Sequence, residues 1–153
     1  EFEMQGNAGD MKYLAVFYDM MRKYQESCKE SLGDYSFTPN ETSMMIFMLE
    51  HPEVDTAKEI AVNLGISQSL ICRSVDSLTR KGFLSIEKDK KDRRVNHLTL
   101  NIEDKELEQT LGKMKRNFLE RMTDGVTEDE LTVFQQVVDK MADNIGIRTD
   151  RLG

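Results

Sequence analysis

Five cations crowd seven consecutive positions of this chain: Lys88, Lys90, Lys91, Arg93 and Arg94, with Asp89 and Asp92 between them. Guanidinium and ammonium groups at that density neutralise a polyanion, and arginine also suits a narrow groove of strongly negative potential. Upstream, Ser67, Gln68, Ser69, Cys72, Arg73 and Asp76 form a second polar set. Hydroxyls and free N–H groups at a helix start can hold a phosphate, and a side chain as long as Arg73 reaches guanine O6 and N7. Both sets suit duplex DNA. Each has a plainer reading, a solvated helix face or a solvated basic loop, so the elements that carry them must decide.

Thr56-Ala57-Lys58-Glu59 is a capping box, and Ile60, Ala61 and Leu64 supply a short apolar face before Gly65. Ser67 then caps a further helix in which Leu70, Ile71, Val75 and Leu78 are expected to face inward, with Gly82 at its end. Rotation by about 100° per residue groups Ile71, Ser74, Val75 and Leu78 opposite Ser69, Cys72, Arg73, Asp76 and Arg80. Two short helices joined by a glycine turn are a helix-turn-helix. Phe83–Lys88 and Val95–Leu100 alternate apolar and polar residues around the basic stretch, which predicts a hairpin with a cationic tip, a wing. Helix-turn-helix followed by wing favours the DNA reading over either set alone.

The flanks read as helices. Met11, Leu14, Phe17, Tyr18, Met21, Cys28 and Leu32 mark a long first helix closed by Gly33. Thr38-Pro39-Asn40-Glu41 opens a second, running to about His51 before Pro52. A fifth helix is expected from near Asn101, with Leu107, Leu111, Met114, Phe118 and Met122 on one face; Gly125 breaks it, and Thr127-Glu128-Asp129-Glu130 caps a sixth carrying Leu131, Phe134, Val138, Met141 and Ile145. The expected fold is mainly α with a small β-wing, a winged helix-turn-helix of order α-α-α-α-β-β-α-α; the pattern also allows a short extra strand near Val54. Residues 1–10 are set aside as a disordered or appended N-terminus, with Glu1, Phe2 and Glu3 read as a remnant. Residues 11–36 hold the first helix, 37–100 the DNA-binding lobe and 101–153 the fifth and sixth helices. The terminal stripes exceed what one small lobe can cover, so both terminal regions are expected to dimerise, presenting two recognition helices about 34 Å apart to a pseudo-palindromic operator.

Composition bounds the alternatives. With 153 residues, 39% of them hydrophobic, the chain makes one compact domain. The longest apolar run, Met44 to Leu49, is too short to span a bilayer, and without a basic leader the expected location is the cytoplasm, with no membrane partner. Two cysteines are too few for a disulfide framework, and His51 and His97 are the only histidines, which excludes a zinc finger; no metal or cofactor is expected, and His97 in the second wing strand reads as structural or solvated. No triad or glycine-rich phosphate loop suggests an enzyme. The net charge of -7 divides into +4 over residues 58–97, where nine Lys and Arg face five Asp and Glu, and -11 elsewhere. A basic working surface on an acidic scaffold is the result.

Asp92-Arg93-Arg94 followed by Leu98 and Leu100 resembles the wing signature of the MarR family of winged-helix regulators, Asp-x-Arg, three residues, aliphatic, x, Leu. Leu78-Thr79-Arg80-Lys81-Gly82-Phe83-Leu84 is similar to the end of that family's recognition helix, and the helix order fits from Met11 to Ile147. The resemblance implies that Arg94 enters the minor groove while Asp92 holds its guanidinium. Asn101 stands where threonine is usual and is expected to cap helix five. It further implies a pocket for a small aromatic or amphipathic effector between the dimerising helices and the lobe, for which Tyr13, Phe17, Tyr24, Tyr35 and Phe37 are the candidate lining; aromatics at helical spacing also serve as plain core. Some relatives sense oxidants through a first-helix cysteine near tyrosines, so Cys28 is a redox candidate, as is Cys72 on the outward face of helix four; an inert buried thiol is the competing reading of Cys28. The expected function is a sequence-specific transcription regulator, with repression the expected mode, that binds double-stranded operator DNA as a homodimer and responds to a small molecule or redox signal. The alternative is a protein–protein module whose basic wing binds an acidic partner.

Overall fold

A computed structural model describes residues 8–151 of the chain. Helix α1 (Ala8–Leu32) precedes α2 (Pro39–Glu50), α3 (Ala57–Leu64) and α4 (Gln68–Arg80); the strands β1 (Leu84–Lys88) and β2 (Asn96–Leu100) follow, then α5 (Lys105–Met122) and α6 (Glu128–Asn144). The expected order of elements is present, and the fold is a mainly α winged helix. Residues 1–7 and 152–153 lie outside the described residues, and with them most of the segment set aside at the N-terminus; α1 starts at Ala8, three residues before the expected boundary. No helix among the described residues is long and apolar enough to cross a membrane.

Local chemistry sets most boundaries. Thr38 and Thr127 each accept a hydrogen bond from the backbone N–H of the glutamate three residues on, while that glutamate reaches back to the threonine N–H, so two orphan donors are satisfied at the start of α2 and of α6. Thr56 and Ser67 cap α3 and α4 in the simpler one-way form. Between α3 and α4, Gly65 takes φ 66°, the left-handed conformation that closes the helix-turn-helix turn without a Cβ penalty.

The core gathers around α2. Met44, Met45, Ile46, Phe47 and Met48 are all buried, so this helix is enclosed on nearly every side. Ile60 and Ala61 of α3, Ile71, Val75 and Leu78 of α4, Leu84 and Leu98 of the wing base, and Leu107, Leu111 and Met114 of α5 pack against it, together with Cys28 and Leu32 from the last turns of α1. At about 1.5–3 kcal/mol for each large side chain removed from water, this cluster is the main stabilising term of the lobe. Across its edge, Lys81 Nζ lies 2.8 Å from Glu41 Oε2 and 2.9 Å from the Ser36 carbonyl, joining the end of α4 to the start of α2. Burial alone would push Glu41 up; hydrogen bonds from Lys81, Ser77 and the Thr38 N–H outweigh it and leave its carboxyl below the usual range.

Three expectations are corrected. Near Val54 there is no strand among the described residues: one hydrogen bond, Leu98 N–H to the Asp55 carbonyl at 2.7 Å, joins this segment to β2, and one bond does not make a ladder. Helix five starts at Lys105, not near Asn101, because Asp104 caps it by accepting from the N–H groups of Glu106 and Leu107. Asn101 instead donates its amide to Ser85 Oγ at 2.9 Å, closing the base of the wing. Leu70, expected inside, is 40% exposed, since the inward face of α4 is centred on Ile71, Ser74, Val75 and Leu78.

Candidate nucleic-acid interface

On α4, Ile71, Ser74, Val75 and Leu78 are buried, and this anchors the helix so that Ser67, Gln68, Ser69, Cys72, Arg73 and Asp76 all face solvent together. Ser67 Oγ is engaged in the cap through Leu70 N–H at 3.3 Å. The exposed start of α4 therefore combines small polar side chains with one long cation, Arg73.

The wing begins where the antiparallel pairs Leu84↔Leu100, Ser85↔Thr99, Ile86↔Leu98, Glu87↔His97 and Lys88↔Asn96 end. Beyond them, two backbone hydrogen bonds shape the tip, Asp89 N–H to the Val95 carbonyl at 2.9 Å and Val95 N–H to the Asp92 carbonyl at 3.0 Å. Asp89 Oδ2 accepts from Lys91 N–H at 2.9 Å and Asp92 N–H at 2.7 Å, the local side-chain turn for which aspartate is suited. Asp92 then accepts from Arg94 three times, from the backbone N–H at 3.1 Å, Nε at 3.0 Å and Nη2 at 3.1 Å. This fork presents a guanidinium whose side chain is 90% exposed. Hydrogen bonding to Arg94 lowers the Asp92 carboxyl and raises the guanidinium, so both stay charged. Lys88, Lys90, Lys91 and Arg93 are exposed around it, with Lys88 Nζ donating to the Arg93 carbonyl at 3.3 Å.

Sequence reasoning missed what stands behind the wing. His97 Nδ1 lies 3.0 Å from both oxygens of Asp55, and Nε2 lies 2.8 Å from Asp89 Oδ1. Hydrogen bonds to Asp89 and then Asp55 raise the imidazole to about 9, and the His97 bond with the two N–H groups of the tip holds Asp89 down at about 2. The alternation of β2 places His97 on one strand face, but nothing local to it points to Asp55, 42 residues away.

The candidate effector residues separate into two groups. Tyr24, Tyr35 and Phe37 line a cavity of about 590 Å³ between the second half of α1 and the start of α2, with Met21, Cys28 and Thr42. Tyr35 stacks on Phe37 at 5.7 Å, and Phe83 from the β1 approach closes edge-on against Phe37 at 5.1 Å. Tyr35 Oη donates to Asp104 at 2.7 Å, which fastens this aromatic corner to the cap of α5. Tyr13 and Phe17 are not brought there; both lie on the exposed first half of α1, with Tyr13 69% exposed. Cys28 is buried, and burial pushes its thiol up, away from the thiolate that oxidation needs; Tyr24, hydrogen-bonded to it, is pushed up as well. Cys72 is exposed on α4. Among the described residues, no group of three His, Cys, Asp or Glu could hold a metal ion.

The terminal helices leave apolar surface uncovered. Leu14, Tyr18 and Met21 of α1, Leu119 and Met122 of α5, and Val133, Phe134, Val137 and Met141 of α6 are exposed, and Ile145 just beyond α6 is 74% exposed. Of the whole sixth helix, Ala142 alone is buried among the described residues.

Residues 35–95 match the sequence model of the MarR family. No curated protein matches the chain. Among solved structures, the fold is similar to that of E. coli MarR in complex with operator DNA, in a mutant form (17% identity, 83% of this chain and 91% of that one, TM-score 0.67). It is also similar to the PcaV transcriptional regulator of Streptomyces coelicolor in complex with its natural ligand (19% identity, 84% and 89% covered, TM-score 0.65). BpsR of Bordetella bronchiseptica, whose DNA binding is regulated by 6-hydroxynicotinic acid, matches at 13% identity over 86% and 98% of the two chains, with a TM-score of 0.64. Residues 35–95 of the chain thus carry the MarR-family sequence pattern, and 83% of the chain shares the fold of the E. coli MarR structure.

Proposed function

We propose that the protein is a MarR-type transcription regulator that binds a pseudo-palindromic DNA operator as a homodimer, acting as a repressor relieved by a small aromatic or amphipathic ligand. The observation that carries this reading is the exposed Arg94 guanidinium held by Asp92 at the wing tip, beside a recognition helix whose outward face carries Arg73. A side chain free to move would lose rotamer entropy on entering a minor groove; one already forked onto a carboxylate has lost much of it beforehand. Arg94 then serves the minor groove, Arg73 a guanine edge in the major groove, and Ser67, Gln68 and Ser69 the phosphates between them. Cys72 and Asp76 flank Arg73 and face the same groove.

The uncovered stripes on α1, α5 and α6 support dimerisation, because a second copy laid about a twofold axis covers the same residues on both sides. The cavity at Tyr24, Tyr35 and Phe37 supports the effector. It touches α1 on one side and the start of α2 on the other, so a ligand there acts between the dimerising helix and the DNA-reading lobe. Operator binding in the E. coli MarR structure and ligand binding in PcaV and BpsR agree with these assignments.

Selection of duplexes from a random pool tests the reading. A shared two-fold sequence is expected, bound about 10³-fold or more above random duplex at the same salt. Equal affinity for all sequences would overturn it in favour of a module that meets an acidic protein partner. Titrating small aromatic acids into the selected complex then asks whether ligand at the Tyr24 cavity releases DNA.

A further inference from the structure

The wing hairpin has five cross-strand pairs and ends at Lys88↔Asn96. A two-stranded ribbon of that length is marginal by itself, and a tip beyond its last pair would swing relative to the lobe. One polar network prevents this. Asp55, immediately before the cap of α3, is joined to β2 twice, by its carbonyl to Leu98 N–H at 2.7 Å and by its carboxylate to His97 Nδ1 at 3.0 Å. The other ring nitrogen meets Asp89 at 2.8 Å, Asp89 gathers the N–H groups of Lys91 and Asp92, and Asp92 grips Arg94. A neutral imidazole has one N–H and one lone pair, so it would set that lone pair against one of the two carboxylates; the doubly protonated ring alone donates to both.

We propose that His97, as an imidazolium, is a positioning residue that locks the wing tip to the helix-turn-helix and so sets where Arg94 stands relative to α4, raising DNA affinity without itself contacting DNA. The proposal rests on the DNA-binding reading. The surrounding charges favour the cation. Asp55 faces the ring from the α3 approach, Asp89 from the tip, and Glu87 lies directly across from it on β1. Glu53 on the same loop as Asp55 is engaged by His51 at 3.4 Å, and Lys58 and Glu59 in the first turn of α3 are exposed. With the imidazole raised to about 9, the clamp is charged through the neutral range and opens as pH rises beyond it.

The test is a double-mutant cycle on the operator recovered by selection, read by fluorescence anisotropy for the wild type, His97→Gln, Arg94→Ala and the double variant. His97→Gln is expected to weaken binding about tenfold at pH 7, and to cost less than about twofold once Arg94 is already alanine, because the histidine acts through the arginine. The ratio of wild-type to His97→Gln affinity should fall toward one between pH 7 and 9.5; the wing lysines are common to both proteins and cancel in that ratio. Additive losses, a ratio that ignores pH, or an unchanged affinity would each overturn the proposal. Independently of DNA, nitrogen NMR of the His97 ring at pH 7.5 should show both nitrogens protonated, and a neutral ring would sink the clamp even if the operator binds. If the wild type selects no sequence at all, the functional reading falls and the proposal falls with it, a result distinguishable because Arg94→Ala then also has no effect.

Discussion

In the lobe from α2 to β2, Met44, Met45, Phe47, Ile60, Ile71 and Leu78 are sealed from solvent, whereas in and just beyond α6 Phe134, Met141 and Ile145 stand in water. Both regions carry amphipathic helices with well-formed caps, α4 in the lobe and α6 at the terminus. The difference lies in what each apolar face finds to pack on within one chain. The lobe closes on itself around α2, and its polar face is left for the cationic wing and the outward side of α4. The first half of α1, the end of α5 and, apart from Ala142, the apolar face of α6 have no such partner among the described residues. Helix α1 shows the change within one element, from exposed Leu14 and Met21 to buried Cys28 and Leu32. The lesson is a division of labour: the lobe's stability is internal, while the terminal region leaves its apolar faces uncovered within one chain, which is where the proposed second copy packs.

The largest test of that division is to charge the uncovered face. Phe134→Glu combined with Met141→Glu should give a monomer by sedimentation and reduce affinity for a full two-fold operator by about 10²-fold or more, the avidity of two linked half-sites, while lobe amide signals are preserved. A variant that stays dimeric would break the comparison. Within the lobe, Glu41→Ala removes the glutamate half of the α2 capping box and the partner of the partly exposed Lys81, and should cost about 1–2 kcal/mol in urea unfolding. A loss below about 1 kcal/mol would show that the lobe does not depend on its internal contacts as described. Arg94→Ala should separate function from fold: about ten- to hundredfold weaker operator binding, or ~1.4–2.8 kcal/mol, at an unchanged melting temperature. Arg73→Ala should relax discrimination at a single position of each half-site by about 1–3 kcal/mol; a uniform loss on all sequences would make it a phosphate contact.

The smallest effect is on stability against pH. The folded His97 is raised to about 9 from an ordinary 6.5, so its contribution is fully present below that ordinary value and is lost as pH rises through about 9. The melting temperatures of the wild type and His97→Gln should therefore differ at pH 6 and converge by pH 10. A gap that widens with pH would show the sign to be wrong.

Much of the fold was legible from sequence because its signals are local. The threonine–glutamate pairs at 38 and 41 and at 127 and 130 specify where two helices begin, and Ile71, Ser74, Val75 and Leu78 specify which side of α4 turns inward. Leu70 shows the limit: a leucine next to that stripe belongs to it by residue type, yet its direction on the helix places it outside. Asp104 shows another, since two good capping residues, Asn101 and Asp104, compete for one helix start and the winner is the one whose carboxylate accepts two N–H groups. The lining of the cavity beside α1 was only partly legible. Aromatic type marks Tyr13, Phe17, Tyr24, Tyr35 and Phe37 alike, and only packing, Tyr24 on Phe118 and Tyr35 and Phe37 on Phe83, separates the last three from the first two.

By itself, then, the sequence determined the order of elements, their caps, the inner face of α4 and the concentration of charge in the wing, because each depends on residues within a turn or two of one another. Tertiary structure alone decided that His97 would sit between Asp55 and Asp89, that Lys81 would find Glu41, and that Tyr24, Tyr35 and Phe37 would share a cavity. Asp55 and His97 are 42 residues apart and Glu41 and Lys81 40, and the cavity exists only where the end of α1 meets the start of α2. The existence of these contacts depends on how whole helices pack, and a side chain's type records what it can bind without recording what the fold will bring to it.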